Sequence, residues 1–213
     1  MLSINIYDFP TIDYGHVFVS LDEKVKNKLP IFPQTYSRAE CAMRFCWFIS
    51  GGEDTLFHAD LDRKNRLREG FLRAALAEFV AMEETLVRDL DSININKPTI
   101  KIKNSSNPLL HILRELRNLE IHLTSSTLSA EQRNFMWKPF GEERNITTNI
   151  WYIDNLHLSD FLQLRNAKNY DLVELEACVN HFLVEQKNWG ICEMILRGIN
   201  LYSEEIIDKF NIQ

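Results

Sequence analysis

Glycine is scarce in this chain, with seven residues among 213 and no run that spells a Walker-type loop or a dinucleotide-binding fingerprint. Those sites need closely spaced glycines so that backbone amides can approach phosphate, so nucleotide cofactors held in that way are excluded. Cysteine is scarce too. Cys41, Cys46, Cys178 and Cys192 show neither the paired short spacings of a zinc site nor a disulfide framework. They read as buried thiols of a reducing cytoplasm. His16, His58, His157 and His181 do not pair at the spacings that make helical metal sites, so no metal and no cofactor is expected. No apolar stretch approaches the length that spans a bilayer. The start, Met1-Leu2-Ser3-Ile4, lacks the basic region and apolar run of a signal peptide. The expectation is a soluble, cytoplasmic chain without a membrane partner. Positive charge is also in the minority: Lys plus Arg total 24 against 30 Asp plus Glu, a formal net charge of −6. That is the wrong sign for a chain held on nucleic acid by its overall charge, so any such contact has to be local.

With 45% hydrophobic residues, the chain can bury a substantial core as one domain, 1–213. The apolar residues recur mainly at helical spacing, which predicts a mainly α bundle. Residues 1–36 read as an irregular N-terminal arm, because Pro10, Pro30 and Pro33 interrupt short runs such as His16-Val17-Phe18-Val19. Ser37 and Glu40 form a capping box ahead of an apolar run, Cys41 to Ile49, that stops at Gly51-Gly52. From Asp62 to Leu90 the pattern is long and amphipathic and predicts the central helix. Its start carries Arg63, Lys64, Arg66, Arg68 and Arg73. Such a run is either a solvated face or a surface for a phosphate backbone. Asp91 to Ser106 reads as a polar linker in which alternating Ile residues suggest a short edge strand. Residues 124–157 read as an insertion between core helices: Ser129-Ala130-Glu131-Gln132 resembles a helix start, and Ile146 to Ile153 looks extended. Trp137, Phe140, Trp151 and Tyr152 make it aromatic, as core, interface or base-stacking platform. Helices follow near Asp160 to Leu164, Asp171 to Lys187 and Ile191 to Lys209.

Chemistry concentrates in one place, Arg117-Asn118-Leu119-Glu120-Ile121-His122. Asn107 is a good N-cap and Pro108 suits the first helical position, so a helix begins there. Leu109, Ile112, Leu113, Leu116, Leu119 and Leu123 gather on one side and should face the core. His111, Glu115, Asn118 and His122 line the opposite side. Arg117 falls near the boundary, where it either reaches the histidine face or covers apolar surface. Arg supplies a permanent charge shaped for phosphate, and His exchanges a proton near neutral pH. Glu78, Glu83 and Glu84 on the long helix are possible partners for either.

An Arg, a polar residue that is most often Asn, three variable residues and a His resemble the signature of the HEPN superfamily. The resemblance covers the motif and its helical setting. It implies a compact helical bundle and a metal-independent endoribonuclease, of the kind that serves as a toxin or defence effector, with a composite site where two copies meet in a homodimer. It also implies that the His faces outward. Arg117 would hold the scissile phosphate, His122 would act as general acid or base, and Asn118 would orient the two. Arg63, Lys64, Arg66, Arg68 and Arg114 would hold the RNA, and a neutralising protein would be a possible partner. Two other readings stand beside this one: a non-catalytic RNA-binding or regulatory module, and a helical protein-interaction domain in which the motif is incidental.

Overall fold

A computed structural model of the protein describes residues 20–51, 61–95, 98–122, 127–137 and 144–212, without the side chains of 61–63, 120–122, 135–137, 144 and 146. Among these residues it holds helices α1 (Glu23–Lys28), α2 (Pro33–Ile49), α3 (Leu61–Ser92) and α4 (Pro108–His122). Strands β1 (Leu128–Trp137) and β2 (Arg144–Ile153) follow, then α5 (Leu158–Gln163), α6 (Leu172–Trp189) and α7 (Ile191–Phe210). The mainly helical class is therefore correct, with one antiparallel two-stranded sheet added.

The longest helix is not the central one. Ile191, Met194, Ile195, Ile199, Tyr202 and Ile206 of α7 are fully buried, and α7 packs against α1, α2, α3, α4 and α6. Gly198 lets α4 come close, because a Cβ there would overlap Leu113 Cδ1. Leu109, Ile112, Leu113 and Leu116 are fully buried beneath α4, as the apolar stripe predicts.

Four local expectations are corrected. The described part of the N-terminal arm is helical, and α2 begins at Pro33 rather than at the Ser37–Glu40 box. The start of α2 has no side-chain cap of its own at Phe32. Buried Asp89 of α3 supplies it from across the bundle, accepting from Gln34 N (3.2 Å), Thr35 N (2.8 Å) and Thr35 Oγ1 (2.8 Å). A carboxylate at a helix N-terminus satisfies orphan amides and complements the dipole. The linker contains no strand among its described residues. Instead, Ile100 lends its carbonyl to the Tyr202 hydroxyl (2.8 Å), and Ile102 is buried on a short 3-10 turn. Ser129 to Gln132 does not start a helix but lies in β1, which pairs with β2 from Leu128↔Ile153 to Trp137↔Arg144. The base of that hairpin is held by Gln186 of α6, which accepts from Ile153 N and donates to Ile153 O, both at 3.1 Å.

Candidate functional site

The polar face of α4 has two halves. Its N-terminal half, expected to point outward, is buried: His111 is 1% exposed and Glu115 2%. The segment joining α5 to α6 covers it with Asn166 and Tyr170. Tyr170 O–H lies 3.1 Å from His111 Nδ1 and 3.2 Å from Glu115 Oε1. Asn166 Nδ2 donates to both Glu115 oxygens, at 3.2 and 3.1 Å. On the far side of the imidazole, Nε2–H donates to the Ser105 carbonyl at 2.8 Å. A carbonyl only accepts, so the neutral ring must carry its proton on Nε2 and leave Nδ1 as an acceptor. The single Tyr170 proton then faces two acceptors, Nδ1 and the Glu115 carboxylate. Burial pulls the His111 pKa down from its ordinary value and pushes the Tyr170 phenol up. The ring is therefore kept neutral and the phenol protonated at physiological pH.

The C-terminal half carries the motif. Asn118 Nδ2 donates to Glu115 Oε2 at 3.0 Å, and Arg117 Nη1 donates to Asn118 Oδ1 at 3.4 Å. The buried network therefore sets the motif asparagine, and the asparagine touches the arginine. Arg117 is half-buried, forms no ion pair among the described residues, and its buried Nε has no hydrogen-bond partner. His122 is the last residue of α4, one turn beyond Asn118, and its side chain lies outside the described residues.

The other expected RNA contacts separate. Arg114 lies 3.8 Å from Glu115 Oε1 and is engaged within the network. Arg68 donates to the Ile49 carbonyl (3.1 Å) and sits 4.3 Å from the Trp151 ring centroid, so it serves the fold. Lys64 is half-buried and Arg66 exposed, while the side chain of Arg63 lies outside the described residues. No hydrogen bond or ion pair among the described residues links this basic segment to Arg117 or Asn118. Nor do the carboxylates of α3 serve the motif: Glu78 pairs with Arg38 at 2.8 Å, and Glu83 accepts from Ile102 N. Trp151 and Tyr152 lie under Arg68 and Lys187, while Phe140 lies outside the described residues. Ser105, Asn166 and Tyr170 were not foreseen. The spacing of His111, Glu115 and Asn118 showed that a polar face existed, but no signal in the sequence named what covers it.

No family model, curated protein or solved structure matches the chain.

Proposed function

We propose that this chain is a metal-independent endoribonuclease acting through Arg117, Asn118 and His122, with two copies contributing to one site. The observation that supports it best is the state of Arg117. Its guanidinium has no carboxylate to neutralise it among the described residues, and its one hydrogen bond goes to an asparagine that a buried network holds in place. A cation without a carboxylate partner among the described residues, and oriented in this way, suits a phosphodiester whose charge grows during cleavage. His122, a turn further on, has the residue type needed to move the proton of a ribose hydroxyl or a leaving oxygen. Asn118 acts as a positioning residue.

The test is cleavage of single-stranded RNA in EDTA by the wild type, His122→Ala, Arg117→Ala and Arg117→Lys, with light scattering and circular dichroism on each. The expected result is a dimer whose activity falls by roughly 10²- to 10⁴-fold in the alanine variants while the fold persists. Arg117→Lys should also lose most of its activity, because an ammonium lacks the planar fork. Equal cleavage by wild type and His122→Ala would overturn the proposal. Binding without cleavage is the second reading, and the exposed cations of α3 favour it.

A further inference from the structure

We infer that Cys46 and Cys192 form a reversible disulfide that locks the end of α2 to the start of α7 when the chain meets a peroxide, a property independent of the RNA-directed reading above. The two residues are 146 positions apart in sequence and meet where the two helices pack. Cys192 Sγ donates to the Cys46 carbonyl at 3.4 Å, and the Cys46 thiol in turn hydrogen-bonds the Cys192 side chain. Both thiols are free, Cys46 fully buried and Cys192 7% exposed. No hydrogen bond joins Cys41 or Cys178 to another cysteine among the described residues. Packing alone could be met by any small side chain at these two positions. Two thiols facing each other add a reaction that neither has by itself.

The surroundings hold both residues in place. The Cys46 carbonyl also accepts from Ser50 N and Ser50 Oγ, both at 3.1 Å, which closes the end of α2. Three residues further on, the Ile49 carbonyl takes Arg68 Nε at 3.1 Å, and Arg68 sits over the Trp151 ring of β2. Gly190, two residues before Cys192, has a φ of +94° and lies so close to β2 that a Cβ there would be 3.0 Å from Ile150 Cγ2 and 3.3 Å from the Trp151 carbonyl. The end of α2 and the start of α7 are therefore both tied to β2. Holding two reacting groups together in this way raises the effective concentration of one at the other. Oxidation also leaves no buried acceptor bare: the S–H donor of Cys192 is lost, but the Cys46 carbonyl keeps both Ser50 donors.

A peroxide suits the pair because it is close to water in size and Cys192 is barely exposed. Cys192, the more accessible sulfur, attacks the O–O bond and becomes a sulfenic acid, and the other oxygen leaves as water. The Cys46 sulfur then displaces the sulfenic hydroxyl. The S–S bond forms, and the Cys46 proton departs with that hydroxyl as a second water. Two thiols lose two electrons in all, and the peroxide gains them. The hydrogen bond with Cys192 and burial push the Cys46 pKa well above its ordinary value, so this thiol keeps its proton until the second step. A thiol reductant reverses the reaction. The loop that the bond closes contains α3, α4, the hairpin, α5 and α6, so most of the chain is restrained when it unfolds.

The protein to test is the reduced full chain carrying Cys41→Ser, which removes the exposed thiol that would pair between molecules. Three of the four cysteines then remain. After hydrogen peroxide under native conditions, thiol titration in denaturant should find one of them still free. A tryptic digest should contain Cys46 and Cys192 in one cross-linked pair of peptides that dithiothreitol separates. The urea midpoint of the oxidised chain should exceed that of the reduced chain by roughly 1 M or more, because the closed loop is long. On the same background, Cys46→Ala should stop the reaction at a Cys192 sulfenic acid that dimedone labels, and Cys192→Ala should leave Cys46 unreacted. The inference is overturned if the native chain keeps all three thiols while the urea-unfolded chain loses them, or if the bond joins Cys178 instead. An oxidised chain whose midpoint is no higher than that of the reduced chain would show that the bond is no lock.

Discussion

Replacing Glu115 separates a requirement for charge from a requirement for hydrogen-bond pattern. The carboxylate accepts from Tyr170, Asn166 and Asn118, and Arg114 is 3.8 Å away. In Glu115→Gln, the amide oxygen can take the Oε2 position and keep Asn118 and Asn166. Its NH2 then faces the Tyr170 oxygen, which accepts and turns its own proton to His111 Nδ1. Every group in that arrangement has a partner, including the imidazole nitrogen that competes for a proton in the native network. The variant also removes a buried anion, whose desolvation opposes its attraction to Arg114. The expected cost is therefore within about 1 kcal/mol. In Glu115→Leu, Tyr170 can still turn its proton to His111 Nδ1, but the Nδ2 groups of Asn118 and Asn166 lose their acceptor, at about 1–3 kcal/mol for each one that stays unsatisfied, so the total should reach at least about 2 kcal/mol. Urea denaturation reads the difference. With a slope of about 2 kcal/mol per molar, the leucine variant should lose roughly 1 M or more in midpoint and the glutamine variant under 0.5 M. A glutamine variant as unstable as the leucine one would refute the donor-and-acceptor reasoning and show that charge on Glu115 is what the site requires.

Two further outcomes follow from buried carboxylates elsewhere. Burial raises the Glu193 pKa to about 7 from an ordinary 4.5. A raised acid favours the protonated folded form, so this contribution is complete below about 4.5 and is lost as pH rises through 7. The loss amounts to about 3 kcal/mol. Glu193→Gln stays neutral throughout, so its stability relative to wild type should rise by that amount between pH 4.5 and 8, and parallel curves would contradict the assignment. His111 acts in the opposite direction, since a lowered base is destabilised as pH falls below its ordinary 6.5. Its contribution is common to both proteins and cancels in their difference. Asp89→Ala should cost about 3 kcal/mol by uncapping α2, seen as a lower urea midpoint with an unchanged slope, whereas a loss under 0.5 kcal/mol would mean that water replaces the cap.

The parts of the fold that were legible are those whose information is local. The periodicity of Leu172, Leu175, Val179 and Phe182 placed α6, and Asp171 does cap it, accepting from Val173 N at 2.9 Å. Asn107 likewise caps α4, accepting from Leu109 N at 3.0 Å. The start of α2 was misplaced because its cap comes from Asp89, 54 residues beyond Thr35. Pairing with β2 and the grip of Gln186 override the helix-like composition of Ser129 to Gln132, as tertiary context often does. In the candidate site, the spacing of His111, Glu115 and Asn118 was visible, but the direction of that face was not. It faces inward because Asn166 and Tyr170, more than 50 residues later, return to cover it.

The net charge of −6 argued against an RNA partner, and the distribution of charge changes the force of that argument. Fixed charges act over about 8 Å at physiological salt, so acidic residues across the bundle do little to the potential over α3. Many of the cations elsewhere are already paired: Lys24 with Asp208, Lys26 with Glu23, Arg133 with Glu131 and Arg197 with Glu193. Among the described residues, Arg44, Arg66, Arg73 and Arg117 form no ion pair, although Glu69 follows Arg66 by three residues and precedes Arg73 by four on α3. Arg66 and Arg73 are seven residues apart on one helix, so their positions lie about 10 Å apart along its axis. That separation suits successive contacts along a backbone better than a single anion.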